Sequence, residues 1–183
     1  KSACARPPVA LGRGTVGGRR VGSRDREGRG QKMPPGERNY RANIYAMKLL
    51  GVGRVISVSA VGSLRDGWRP GEFLVPDQFV DRTRLRISTF FGGGLVAHVS
   101  LAHPTCAQVS AVLADASVHR AVMVHRRGTY ICMEGPQFST LAEANMHQQL
   151  HFDVIGMTNA TEAKLAREAE ICYATIAMIT DYE

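Results

Sequence analysis

Residues 171–183, ICYATIAMITDYE, decide the fold class. The apolar run from Ile171 to Ile179 predicts a buried strand, and it leads directly into two carboxylates, Asp181 and Glu183. Side chains two apart on a strand project to the same side, so we expect these carboxylates to point together, away from Tyr182. Paired carboxylates suit a ligand with several N–H donors or a proton relay, although such acids are more often simply solvated.

Strand and helix patterns alternate along the chain before this strand. Strands are predicted at 54–59, in the region 70–83, at 128–134 and at 154–159, and helices at 40–50, 106–119, 141–150 and 161–170. Thr140-x-x-Glu143 and Asn159-x-x-Glu162 are expected to cap the last two helices. The alternation predicts an α/β fold with a mixed, largely buried central sheet flanked by helices.

The composition is that of a soluble globular domain. The chain has 183 residues, of which 44% are apolar and 21% charged, and no apolar run reaches the roughly 18 residues that span a bilayer. The first residues lack the apolar core of a secretory signal, so a cytoplasmic protein is expected. The four cysteines form no C-x-x-C pair and are expected to be reduced thiols.

The net charge of +7 belongs to one segment. Residues 1–40 hold ten Lys or Arg against three acids, and the remainder is neutral. Residues 1–25 are rich in Gly and Arg without a helix or strand period, so they are predicted to be irregular, and residues 26–183 to form the domain. No aromatic residue is interleaved for base stacking, so nucleic acid is not an expected partner.

Ligands of α/β folds bind beyond the carboxyl ends of the strands. Ser59 and Thr158 offer hydroxyl groups at two such ends, where exposed backbone N–H groups also suit an anion. Phe138 is suited to stack on a flat ring, and Met157 to cover an apolar face. Each has a simpler interpretation, as a turn former or a core residue. From the residues alone, the prediction is an anion site next to a site for an aromatic ligand.

His147 and His151 are four apart on a predicted helix, which is a spacing of metal ligands. No third ligand stands near them in the sequence, so no metal site is expected.

Four stretches carry a more specific resemblance: PPGERNYRANIYAMKLLG (34–51), SAVGSLRDGWRPGEFLVPDQFVDRT (59–83), GTYICMEGPQFST (128–140) and GMTNATEAKLAREAEICYATIAMITDYE (156–183). Together they resemble the methylthioadenosine phosphorylase branch of the trimeric purine nucleoside phosphorylases, from about Arg26 to Glu183. The resemblance implies phosphorolysis of 5′-methylthioadenosine to adenine and 5-methylthioribose 1-phosphate. It implies a nucleoside phosphorylase-like fold, a role in purine salvage, phosphate as co-substrate, and no metal or cofactor.

The resemblance also implies site roles. Phosphate-binding positions match Arg26, Ser59, the backbone at Ala60, and Thr158. Met157 matches the residue that packs on the ribose, and Phe138 one that lines the base pocket. The purine site matches Ser139, Asp181, Tyr182 and Glu183, with Asp181 as the catalytic group that donates a proton or hydrogen bond to N7. His98 matches a residue that reaches the 5′ pocket of a neighbouring subunit, which implies a homotrimer.

The chain departs from the family pattern in four respects. Nothing in residues 1–25 matches the family's glycine-rich phosphate loop, and Glu27 replaces a phosphate-binding histidine. Glu183 stands for a usual aspartate, and the family continues well past this residue. Two alternatives therefore remain open: a catalytically incompetent fragment or pseudoenzyme, and a phosphorylase of another purine nucleoside.

Overall fold

The computed structural model describes residues 11–26 and 33–183. Its strands are β1 (Gly12–Val16), β2 (Arg19–Ser23), β3 (Arg54–Ser63), β4 (Phe73–Leu74), β5 (Gln78–Asp81), β6 (Val124–His125), β7 (Thr129–Cys132), β8 (Val154–Gly156) and β9 (Cys172–Tyr182). Its α-helices are α1 (Tyr40–Leu49), α2 (Ala107–His119), α3 (Leu141–Gln149) and α4 (Asn159–Glu168), and a short 3₁₀ helix spans Pro35–Glu37.

The main sheet has seven strands in the order β5-β7-β8-β3-β9-β4-β6. The pairs β3–β9, β4–β6, β5–β7 and β7–β8 are parallel, and β3–β8 and β4–β9 are antiparallel. Helices pack on both faces of β9: Leu113 of α2 lies in a cluster with Ala174, and Ile44 of α1 and Ala163 of α4 lie in a cluster with Tyr173. The predicted α/β class with a mixed central sheet is confirmed.

Strand β3 is longer than predicted, because it runs past Ser59 to Ser63, where it pairs with β8. It pairs with β9 along its whole length, but with β8 only at Gly62 and Ser63. On one face of β3 the side chains of Ile56 and Val58 are both 55% exposed among the described residues.

Local polar contacts explain the helix starts. The Asn39 side chain caps α1 by accepting from the backbone N–H of Ala42 at 2.9 Å. The predicted capping box of Thr140 and Glu143 is present at α3. The predicted cap at Asn159 is wrong, because Asn159 is already the first residue of α4 and its amide nitrogen donates to Thr175 Oγ1 at 3.0 Å.

Residues 12–23, which were expected to be irregular, form an antiparallel hairpin of β1 and β2. The turn residues Gly17 and Gly18 have φ values of 54° and 74°, and only glycine adopts this pair of conformations without steric cost. Every residue of both strands is exposed, so no apolar alternation marks them in the sequence. The division into domains at residues 25 and 26 stays a prediction.

Cys106 and Cys172 are joined by a disulfide, with their Cα atoms 5.2 Å apart. The expectation of reduced thiols is therefore wrong for this pair. The start of α2 lies directly on the start of β9, since the backbone N–H of Cys106 donates to the carbonyl oxygen of Tyr173 at 2.8 Å. That contact brings together two cysteines that are distant in sequence.

The thiol of Cys132 is buried in the core and is predicted to be unreactive in the folded protein. Burial raises its pKa to about 11, and the thiolate is the reactive form. We expect iodoacetamide at neutral pH to leave Cys132 unmodified until the protein is denatured, as measured by mass spectrometry of its peptide. Because burial raises the pKa of the folded thiol, its contribution to the free energy of unfolding is fully present below the ordinary pKa of about 8.5. This contribution is lost as the pH rises toward the folded pKa, because the unfolded chain ionises first. Rapid alkylation of the native protein would contradict this assignment.

Candidate functional site

The end of β9 lies against the end of β3 and the loop that follows β7. The backbone N–H of Ser139 donates to Glu183 Oε1 at 3.0 Å. The backbone N–H of Glu183 donates to the carbonyl oxygen of Ser63, also at 3.0 Å. A Cβ atom at Gly62 would lie 3.1 Å from Glu183 Oε2, so glycine leaves the room that this carboxylate occupies. The structure thus brings Ser139 and Glu183 together.

The carboxylate of Asp181 is exposed and is held by its own strand. Thr180 Oγ1 donates to Asp181 Oδ1 at 2.6 Å. The β3–β9 register shifts at this point, because Val61 pairs with Ile179 and the next residue, Gly62, pairs with Asp181. This bulge leaves Thr180 as the extra residue. Tyr182 is 55% exposed. Asp181 therefore ends the strand as an accessible carboxylate.

The loops after β7 and β8 touch at a glycine. Gly135 has a φ of 67°, and a Cβ atom there would lie 2.5 Å from Met157 Sδ. Met157 therefore packs on the backbone of the loop that carries Phe138 and Ser139. The side chain of Phe138 is exposed, so it is not a core residue in the part of the chain that the structure describes.

A buried polar cluster surrounds Arg26, between α4 and β3. Arg26 Nε donates to Glu162 Oε1 at 2.6 Å, and its Nη1 donates to the carbonyl oxygen of Val58 at 2.9 Å. Its Nη2 donates to Glu162 Oε2 at 2.9 Å, to Asn159 Oδ1 and, over a short distance, to Ser57 Oγ. Burial alone would lower the pKa of Arg26, but the Glu162 carboxylate outweighs it, so this pKa is raised. Arg26 thus stays charged, and Glu162 neutralises that charge.

Two predicted phosphate ligands border this cluster. Thr158 Oγ1 donates to Asn159 Oδ1 at 2.8 Å. Ser59 Oγ lies 3.3 Å from the Tyr130 hydroxyl. Burial raises the pKa of Tyr130 to about 12, so this hydroxyl keeps its proton near neutral pH. Ala60 follows Ser59 on β3 and is exposed. Hydroxyl groups and the Arg26–Glu162 ion pair therefore lie at one side of the site, and the carboxylates of Asp181 and Glu183 lie at the other.

Two residues of interest are not part of this group of contacts. His98 is exposed on the loop between β5 and α2, and among the described residues it makes no hydrogen bond or ion pair to the other predicted site residues. Its predicted role in a neighbouring subunit stays a prediction. Glu27 lies outside the described residues.

Several contributors were missed by the sequence analysis. The sequence spacing predicts only a helix cap for Glu162, yet its carboxylate accepts from Arg26 at 2.6 Å and from the Tyr173 hydroxyl at 2.8 Å. No sequence motif marks Arg86, yet it contacts the loops that follow β7 and β8, as described below. Within residues 11–26 and 33–183, no group of three or more His, Cys, Asp or Glu side chains is placed to hold a metal ion. None of the described helices is both long and apolar enough to span a membrane.

Comparison with known proteins identifies the family of this chain. The family model of the phosphorylase superfamily matches residues 11–183, which includes the β1–β2 hairpin. S-methyl-5′-thioadenosine phosphorylase of Koribacter versatilis is 57% identical over 170 residues, which are 93% of this chain and 58% of that protein. The enzyme of the same name from Geobacter sulfurreducens is 57% identical over 171 residues, covering 93% of this chain and 60% of that protein.

Solved structures show the same similarity. A methylthioadenosine phosphorylase from an antarctic soil metagenomic library superposes with a TM-score of 0.92 at 49% identity, covering 94% of this chain and 61% of that one. Methylthioadenosine phosphorylase from Schistosoma mansoni in complex with tubercidin also has a TM-score of 0.92, at 34% identity, covering 94% and 70%. The chain spans about three fifths of the length of the two bacterial relatives. On its sequence and its fold, this chain belongs to the phosphorylase superfamily.

Proposed function

We propose that the chain catalyses the phosphate-dependent cleavage of 5′-methylthioadenosine to adenine and 5-methylthioribose 1-phosphate. The observation that carries the proposal is the meeting of two chemically different groups at one end of the sheet. Carboxylates and the backbone of Ser139 lie on one side, and Arg26, Ser59 and Thr158 lie on the other. The names of the relatives support the choice of nucleoside.

Phosphorolysis requires a phosphate held beneath C1′ of the ribose while that carbon becomes cationic. This step needs positioned hydrogen-bond donors more than a strong base. Arg26, the hydroxyls of Ser59 and Thr158, and the backbone at Ala60 are the proposed phosphate ligands. Met157 would pack on the sugar and keep water from the reacting carbon.

The departing adenine requires groups on the opposite side. Asp181, with its carboxyl group protonated, is the proposed donor to N7; this proton offsets the negative charge that develops on the purine, and its transfer leaves Asp181 as a carboxylate. The carboxylates of Asp181 and Glu183 would accept hydrogen bonds from the 6-amino group, with Ser139 and Tyr182 beside them. Phe138 would line the base pocket. An asparagine at position 181 would instead suit a 6-oxopurine, so the aspartate favours adenine.

The remaining parts of the proposal follow from the resemblance. The protein would act in the cytoplasm in purine salvage, without a metal or cofactor. It would assemble as a homotrimer in which His98 enters the 5′ pocket of a neighbouring subunit. Exposed apolar side chains on the same loop as His98, between β5 and α2, are compatible with such an interface: Leu85, Ile87, Leu95, Val96 and Val99.

The test is adenine release from 5′-methylthioadenosine by the purified chain, followed by chromatography with and without phosphate. We expect release only when phosphate is present, together with formation of the 1-phosphate ester. Parallel assays with adenosine and inosine separate this substrate from other purine nucleosides. A folded sample that releases no base from any of them would contradict the proposal and favour the catalytically incompetent alternative.

A further inference from the structure

Arg86 occupies the junction between the two loops that carry the proposed nucleoside contacts. We define the β7 loop as residues 133–140 and the β8 loop as residues 157 and 158. The side chain of Arg86 is 1% exposed, so it is enclosed by protein and does not face the open site. The Glu134 carboxylate is its ion-pair partner, with Nε donating to Oε1 at 2.8 Å.

The guanidinium of Arg86 makes five hydrogen bonds, which matches its five N–H groups. Besides the bond to the Glu134 carboxylate, Nη2 donates to the carbonyl oxygens of Glu134, at 2.7 Å, and Met133, at 3.3 Å. Nη1 donates to the Tyr40 hydroxyl at 3.2 Å and, over a short distance, to the carbonyl oxygen of Met157. One planar side chain therefore fixes the β7 loop, the β8 loop and the first residue of α1.

The partner carboxylate extends this connection. Glu134 Oε2 accepts from the backbone N–H groups of Arg84 and Leu85, at 2.5 and 3.1 Å. Burial alone would raise the pKa of Glu134, but these N–H groups and Arg86 outweigh it, so its pKa is lowered and the carboxylate is ionised at neutral pH. The segment around residues 84–86 is thus closed onto the β7 loop.

We propose that Arg86 is a positioning residue that sets the distance between the β7 and β8 loops, and so places Phe138, Ser139 and Met157 against the nucleoside. The proposal rests on the proposed function for its substrate, but the connection itself is independent of it. Of the proposed phosphate ligands, Thr158 lies in the β8 loop that Arg86 contacts, and its hydroxyl donates to Asn159. Arg86 makes no hydrogen bond to the other three, Arg26, Ser59 and Ala60, in the described part of the chain. Its removal is therefore expected to affect nucleoside binding more than phosphate binding.

The test compares Arg86→Met with Arg84→Met in the full chain, since both lose one guanidinium from the same segment. Arg84 is exposed and contributes only its backbone N–H to the contacts above. In Arg86→Met, we expect the amides of residues 134, 135, 137–140 and 157–159 to exchange hydrogen about tenfold faster or more, while those of β3 and β9 keep the parent rates. Arg84→Met is expected to match the parent throughout.

Kinetics give the second readout. Arg86→Met is expected to raise the KM for the nucleoside about tenfold or more, with the KM for phosphate changed less than about threefold. A purely structural loss would lower the apparent kcat through the folded fraction and leave both KM values unchanged. Arg86→Lys keeps the charge but has only three N–H groups, so it is expected to show the same two effects and serves if Arg86→Met does not fold.

Unchanged exchange in both loops, or equally faster exchange across the whole sheet, would overturn the positioning role. So would a lowered kcat with both KM values unchanged. If the parent chain releases no base, the proposed function fails, and the exchange measurement still decides the role of Arg86.

Discussion

Replacing Asp181 with asparagine is expected to lower kcat for adenine release by about 10²- to 10⁴-fold, because a neutral amide cannot deliver a proton to N7 of the leaving purine. The carboxylate is accessible at the end of β9, and its described hydrogen bond is the one from Thr180 Oγ1. No buried partner loses its bond in Asp181→Asn, so the fold should be retained. The measurement is the initial rate of adenine release at saturating phosphate.

Asp66→Asn is the matched control, since Asp66 is also exposed, lies in a turn and, among the described residues, makes no hydrogen bond or ion pair to a proposed site residue. It is expected to keep the parent rate. Asp181→Asn should also shift the ratio of rates toward a 6-oxopurine nucleoside such as inosine, because the amide can donate to the 6-oxo group. A folded Asp181→Asn variant with parent activity would refute the catalytic assignment of Asp181.

Replacing Glu162 with alanine is expected to lower the free energy of unfolding by about 3–5 kcal/mol, because the Arg26 guanidinium would keep its charge in a buried site without its counter-ion. The Glu162 side chain is 10% exposed, and it accepts from both Arg26 and the Tyr173 hydroxyl. For a chain of this length the loss corresponds to a fall in Tm of roughly 10 °C. Urea unfolding followed by circular dichroism measures it.

Glu170→Ala is the control, since Glu170 is 89% exposed and lies 3.7 Å from Lys48 in a surface ion pair. Its effect is expected to be below about 0.5 kcal/mol. The double variant Arg26→Met with Glu162→Met should be less destabilised than Glu162→Ala, because it leaves no unpaired charge. If Glu162→Ala costs less than about 1 kcal/mol, water reaches Arg26 and the buried cluster does not hold the fold together.

Local patterns in the sequence were enough to predict much of the scaffold. The apolar run before Asp181 marked β9, and the Thr140–Glu143 spacing marked the start of α3, because both depend on neighbours within a few residues. The hairpin of residues 12–23 was missed because its exposed strands lack an apolar alternation. Its Gly17-Gly18 turn was the signal available in the sequence.

The polar interior of the site was less predictable. Arg26 and Glu162 are 136 positions apart, and Arg86 and Met157 are 71 apart. Each pairing depends on how distant elements pack, which no local period encodes. Asn159 illustrates the same limit. Its spacing from Glu162 matches a capping box, but its side-chain amide instead donates a hydrogen bond to Thr175 on β9. The family resemblance supplied Arg26, which composition and spacing alone did not, whereas the position of Thr158 at the end of a predicted strand had already made it a candidate for an anion site.

The parallel pairing of β3 with β9 has a consequence for biosynthesis. About 110 residues separate the end of β3 at Ser63 from the start of β9 at Cys172. At about 5–20 residues per second, a ribosome needs roughly 5–20 s to make that length of chain. During this interval β3 lacks the neighbour that pairs along its full length, so the backbone N–H and C=O groups on that edge stay unpaired. The nascent chain is therefore open to aggregation at β3, and a holding chaperone would act best there until β9 has emerged.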